Sequence, residues 1–291
     1  MHMGADYIEQ DVVMTKDDQL IVLHDVTLDD VTNVAETFPK RKRQDGKYYA
    51  VDFTLAEVKQ LDAMERFQYL SNGTKRAVFP DRFPLGKSRF KIPTFREEVE
   101  LVQELSRLLE RQIGIYPEIK KAPFHRKEGK DISEQVLKEL KSLGYKDGQG
   151  VFIQSFDEEE IRRLSTELLP KHAMTKIPLV LLMWPYDDAG KLLPPPTDAD
   201  LQRISEIAQG IGGDTAMILD LETGKSTGFV QRVRQNGMVY HDYTLRRDQL
   251  PEFATNFDQL QEAVFVEADA DGAFSDFTDK TRRFLDDHES C

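Results

Sequence analysis

Short apolar, β-branched runs alternate with longer stretches of helical spacing from residue 7 to the end of the chain, and this alternation restricts the fold more than any other feature. Strands separated by helices run parallel, because a helical crossover returns the chain to the same end of a sheet. The strands read in this way are 7–13 with 20–23, then IGIYPEI (113–119), VFIQSF (151–156), PLVLLMW (178–184), AMILDL (216–221), MVYHDY (238–243) and GAFSDF (272–277). Helices are expected at about 95–111, 132–143, 158–167, 199–207, 225–235 and 257–266. Thr94, Asp131, Asp157, Asp198 and Asn256 each precede a helical run and can accept a bond from its free amides.

Such a repeat closes into a (β/α)8 TIM-type barrel, and the count falls one strand short of it. An open doubly wound sheet is the alternative, but GIGGDT (210–215) lacks the third glycine of the dinucleotide fingerprint and reads as a helix-ending loop. The chain 1–291 reads as one domain. Residues 29–93 interrupt the repeat with PKRKRQDGKYY, TLAEVKQLDAM and FPDRFPLGKSRFKIP, too long for an ordinary connection and too patterned for a linker. They are expected to form an inserted subdomain after the second strand, over the barrel mouth.

The net charge of −13 argues against nucleic acid and anionic membrane as partners, so a phosphate-bearing substrate needs a local positive centre or a metal. The single cysteine, Cys291, excludes an internal disulfide and a cysteine-based zinc site. No apolar run approaches the ~18 to 20 residues that span a bilayer, and no charged-then-apolar leader precedes Gly4.

Side chains two apart on a strand share a face, so Glu9 and Asp11 of YIEQDV point into one space, and Glu118 and Lys120 of YPEIK do the same. Both pairs close the C-terminal end of a strand, where barrel enzymes gather catalytic groups. Three carboxylates meeting there repel one another unless a hard cation sits among them; calcium or magnesium suits all-oxygen ligands, and Lys120 suits phosphate. A solvated rim remains the alternative for either pair taken alone. His24 ends LIVLH and precedes Asp25, which can orient its imidazole. His241 ends a strand, whereas His2, His125, His172 and His288 read as loop, helix or tail residues. Gln154, Phe156, Trp184, Tyr243 and Phe277 gather at strand ends, as packing or as the lining of a pocket for a small alcohol. The sequence has no H-E-x-x-H, G-x-S-x-G or P-loop.

GADYIEQDVVMTKDDQLIVLHD (4–25), with LDDVTNVAETFP, DGKYYAVDFTLAEVKQL, IGIYPEIK, FIQSFD and GAFSDFTDK, resembles the glycerophosphodiester phosphodiesterase family, in particular its bacterial periplasmic branch with a long insertion. The resemblance runs over nearly the whole chain. It implies a calcium-dependent TIM-barrel hydrolase that cleaves glycerophosphodiesters to sn-glycerol 3-phosphate and an alcohol. It further implies Glu9, Asp11 and Glu118 as metal ligands, His24 as general acid/base, Lys120 as a phosphate contact, and Phe156, Tyr243 and Phe277 as pocket residues. A periplasmic or secreted parent follows from the same resemblance.

Family members open with an H-R-G strand that is not found ahead of MHMGAD. The expectation is therefore a barrel missing its first strand and helix, with a catalytic histidine and the phosphate-binding arginine lost and turnover impaired. Unpaired strand edges left in this way favour a homodimer or aggregation. The competing expectations are an inactive metal- or ligand-binding fragment and a phospholipase D-like phosphodiesterase on the same barrel.

Overall fold

The computed structural model describes residues 3–289 apart from 84, 88 and 147. Met1, His2 and Cys291 lie outside the described residues. The chain divides into two compact units, one of residues 9–104 and 117–144, the other of residues 1–8, 105–116 and 145–291.

The first of these units is built on β1 (Tyr7–Met14), which enters it at Glu9, and β2 (Leu20–Val22). They pair antiparallel, with Val12 opposite Val22 and Met14 opposite Leu20. Gln10, Val12 and Met14 are buried on one face of β1, while Glu9 and Asp11 on the other reach solvent. Val13, Ile21 and Leu23 share a core with Leu28, Val34, Tyr48, Phe53, Val58, Leu61 and Ile92. Residues 29–93 are thus tied to the hairpin by common apolar burial. Within them, β3 (Phe67–Tyr69) and β4 (Lys75–Ala77) form a small antiparallel ribbon, and Thr54 and Glu57 form a capping box on the short helix Leu55–Val58.

The chain re-enters this unit at Pro117, within β5 (Gly114–Ile119), and Lys120 N donates to Val12 O at 3.2 Å. A helix at Ile132–Ser142 follows, capped by Asp131. Between them the short helix Ala122–Lys127 carries His125, which is fully buried.

In the other unit, Ile115 bridges Val151 in parallel. There β6 (Ile153–Ser155), β7 (Leu179–Met183), β8 (Gly210–Asp214), β9 (Val239–Leu245) and β10 (Gly272–Ser275) lie side by side in chain order, all parallel. The intervening helices include Glu158–Arg163, Asp198–Ser205, Phe229–Gln235 and Phe257–Glu262, the first and last running on as π-helical turns. No helix among the described residues is long and apolar enough to cross a membrane.

Three local expectations are overturned. The strand expected at 216–221 lies at Gly210–Asp214, and Thr215–Met217 is a 3-10 turn, so GIGGDT is a strand and not a loop. Its glycines carry no apolar signal because neighbours fill their space: a Cβ at Gly212 would come 2.5 Å from Leu182 Cδ2, and one at Gly210 would come 2.9 Å from Val239 Cγ2. Thr197, not Asp198, caps the helix that follows, accepting from Asp200 N at 3.2 Å while the Asp200 carboxylate accepts from Thr197 N at 3.0 Å. Asp198 instead accepts from Arg232 Nε at 2.8 Å. A final helix, Thr278–Glu289, is absent from the sequence reading, its polar face having masked the apolar spacing.

His125 generates a stability prediction. Met14 N donates to its Nε2 at 3.1 Å, and Nδ1 faces Lys121 O at 3.2 Å, so the ring fits as the neutral Nδ1–H tautomer. Burial lowers its pKa from 6.5 to about 4. The unfolded chain binds the proton first, so this contribution to stability is complete above the unfolded value and is lost as pH falls from about 6.5 through about 4. His125→Ala should cost about 1–3 kcal/mol at pH 7 by stranding the Met14 amide. It should also flatten stability between pH 6.5 and 4, read by urea unfolding at both ends of that window.

Candidate active site

Strand alternation brings Glu9 and Asp11 to one face of β1, and the same alternation places Glu118 and Lys120 together at the end of β5. One carboxylate oxygen from each of Glu9, Asp11 and Glu118 lies within 4.8 Å of the others. The Lys120 ammonium sits 2.9 Å from Glu118 Oε1 and 3.3 Å from Asp11 Oδ1. Glu118 and Lys120 are both nearly buried. Burial pushes the Glu118 carboxyl up to about 7; Lys120 opposes that shift and Asp11 adds to it. Burial also works against the Lys120 charge, but Asp11 and Glu118 outweigh it and hold the ammonium above its ordinary pKa.

Oxygen donors alone suit a hard divalent cation such as calcium or magnesium better than a softer transition metal. The raised Glu118 carboxyl and the ammonium drawn between two acids mark this as a place that demands positive charge. Glu9, Asp11 and Glu118 therefore fit a hard divalent cation.

The antiparallel register sets Leu23 against Asp11, Leu23 N donating to Asp11 O at 2.8 Å, and His24 follows immediately. His24 Nδ1 bonds Asp25 Oδ1 at 2.9 Å, and Arg66 Nη2 donates to Asp25 Oδ2 at 2.7 Å. The His24 bond and the Arg66 guanidinium hold the Asp25 carboxyl well below the usual carboxylate range, against its partial burial. As an anion, Asp25 accepts from Nδ1–H and leaves Nε2 as the imidazole's outward nitrogen. The His24 side chain is 62% exposed, so that nitrogen is open to a ligand.

The remaining residues singled out from the sequence belong to the other unit. Phe156 and Tyr243 meet edge to face with ring centroids 5.9 Å apart. Phe277 packs instead against Phe257 at 6.0 Å and lies under Arg247. Trp184 is exposed beside Tyr186. His241 Nδ1 pairs with Tyr116 Oη at 2.9 Å within a box of Tyr116 and Phe152 rings. Gln154 is fully buried.

Two groups escaped the sequence reading. Arg66 lies 41 residues beyond Asp25 in a stretch without a motif, and only folding brings it there. Glu98, in the first turn of the helix Phe95–Leu108, reads as an ordinary N-terminal acid, yet burial pushes its carboxyl up to about 7 beside Gln10 and Asp11.

A cation must displace the proton that Glu118 holds up to about pH 7, so divalent-ion affinity should rise as pH increases through that value. Calorimetric calcium titrations at pH 6 and 8 should show tighter binding at pH 8. In buffers of different ionisation enthalpy they should show proton release at the lower pH only.

Known proteins resemble nearly the whole chain. The model of the Glycerophosphoryl diester phosphodiesterase family matches residues 1–280. A glycerophosphodiester phosphodiesterase of Haemophilus influenzae is 39% identical over 97% of this chain and 82% of its own length. One from Treponema pallidum is 35% identical over 97% and 84%. Among solved structures, a glycerophosphodiester phosphodiesterase of Agrobacterium tumefaciens shares the fold with a TM-score of 0.58 at 20% identity, covering 97% of this chain and 88% of that one. A phosphodiesterase of Oleispira antarctica in complex with the product sn-glycerol-3-phosphate does so with a TM-score of 0.58 at 18% identity, covering 98% and 87%. With a family model matched over residues 1–280 and relatives 39% and 35% identical over 97% of the chain, the chain belongs to the glycerophosphoryl diester phosphodiesterase family.

Proposed function

We propose that this chain hydrolyses glycerophosphodiesters to sn-glycerol 3-phosphate and an alcohol, with Glu9, Asp11 and Glu118 holding a calcium ion. The observation that carries the reading is the meeting of three carboxylates beside Lys120, in the same unit as the His24–Asp25 pair. The product bound by the Oleispira antarctica phosphodiesterase supports the choice of substrate class. When bound, the ion neutralises phosphate oxygens and steadies the charge that grows on them. Lys120 gives the phosphate a second positive contact. His24, its Nδ1 fixed on Asp25, exchanges the proton at Nε2 with the attacking hydroxyl or the leaving alkoxide.

Of the two histidines in the unit that carries the acids, His125 is buried in a structural role, so His24 is that unit's candidate for proton transfer. Export to the periplasm, inferred from the branch that the insertion resembles, is testable by cell fractionation.

Release of sn-glycerol 3-phosphate from glycerophosphocholine should require calcium and stop with chelator. Glu9→Ala should weaken calcium binding, and His24→Ala should lower kcat by roughly 10²–10⁴-fold with calcium affinity retained. Product formed equally in chelator, or by His24→Ala, would contradict the roles of the ion and of His24.

A further inference from the structure

We propose that the described residues of 66–91, without 84 and 88, form a docking surface for an anionic phospholipid bilayer. The proposal is independent of the catalytic reading. The stretch holds seven basic residues against a single acid, Asp81, in a chain whose net charge is −13. Three of the basic residues are matched by acids from elsewhere in the same unit: Arg66 by Asp25, Lys75 by Glu36 and Lys91 by Asp62. Arg76, Lys87 and Arg89 are exposed.

The same stretch concentrates exposed apolar surface. Of the fourteen large apolar side chains exposed among the described residues, five are Tyr69, Leu70, Val78, Phe83 and Phe90, with Phe83 and Phe90 65% and 69% exposed. The β3–β4 ribbon sets Tyr69 opposite Lys75 and Gln68 opposite Arg76. Lys75 Nζ lies 5.9 Å from the centroid of the exposed Tyr69 ring, and the Arg82 guanidinium lies 3.9 Å from that of Phe79. Phe90 is anchored through its backbone, its carbonyl accepting from Ala63 N at 2.7 Å, while its ring stays in solvent.

Rings interleaved with long cationic side chains suit a lipid interface. The rings enter the boundary between headgroups and acyl chains, and the Lys and Arg stems lie along apolar surface with their charges among the phosphates. A protein partner would need acids matched to each cation, whereas an anionic bilayer offers negative charge at every position. The acidic remainder does not cancel this, because charges beyond a Debye length of ~8 Å at physiological ionic strength are screened.

Flotation of the full chain with vesicles tests the proposal. Binding to phosphatidylcholine vesicles containing 30% phosphatidylglycerol (roughly a third anionic, to set a strong surface potential) is expected, with little binding to phosphatidylcholine alone. Added salt should weaken it. R76E/R89E should lower the partition coefficient roughly tenfold or more, and F83S/F90S should also release the protein. Circular dichroism should show both variants folded, since all four side chains are exposed. Equal binding to neutral vesicles, no binding to either kind, or binding unmoved by both variants overturns the proposal. So does a vesicle-free dimer, or RNA retention, that both variants abolish, because the surface then serves a second copy or a nucleic acid.

Discussion

The Lys120 ammonium, 2.9 Å from Glu118 and 3.3 Å from Asp11, is the charge that makes the acid cluster tenable. Like charges at this spacing cannot all ionise without a counter-charge, and burial raises the cost for Glu118 and Lys120 alike. The acids hold the buried ammonium charged and Lys120 opposes the effect of burial on Glu118, so removing the acids strands a buried cation and removing Lys120 leaves the acids without their counter-charge. The arrangement also fixes β1. A slip of one residue would exchange Glu9 and Asp11 for Gln10 and Val12, sending two acids into the core and two buried groups out. The same register sets Leu23 against Asp11 and so decides where His24 falls.

Residues 29–93 complete that hairpin. Leu28, Val34, Tyr48, Phe53 and Leu61 close over Val13, Ile21 and Leu23, so the strand that presents the acids draws its rigidity from the segment that interrupts the repeat. Arg66 from the same segment reaches Asp25, whose other oxygen holds His24. A chain with strongly negative net charge has also placed a local excess of cations there, beside its exposed rings. Net charge describes long-range behaviour, whereas contact at a surface depends on the charges within a screening length.

Much of this could be read in advance because strand geometry is short-range. The two-residue period pairs Glu9 with Asp11 and Glu118 with Lys120 without knowledge of the rest of the chain, and the structure joins the two pairs. Caps at Thr94, Asp131, Asp157 and Asn256 were legible for the same reason, since each acts on an amide a few residues ahead. Gly210–Asp214 was not, because a glycine strand is specified by the side chains of its neighbours, among them Leu182 and Val239. What the fold adds is proximity across two strands: one carboxylate oxygen from each of Glu9, Asp11 and Glu118 lies within 4.8 Å of the others, which the alternation of a single strand does not set.

The sequence by itself determined the alternation of strands and helices, the pairs of side chains that share a strand face, and the family, since all of these are carried by residues close together in the chain. Only the tertiary structure decided that Lys120 lies between Asp11 and Glu118, that Arg66 holds Asp25, and that His125 is a buried acceptor for Met14. Each of those contacts joins residues from 41 to 111 positions apart, except the neighbours Glu118 and Lys120. Local propensity carries no information about such pairs; packing and the cost of leaving a buried charge or amide unmatched select them.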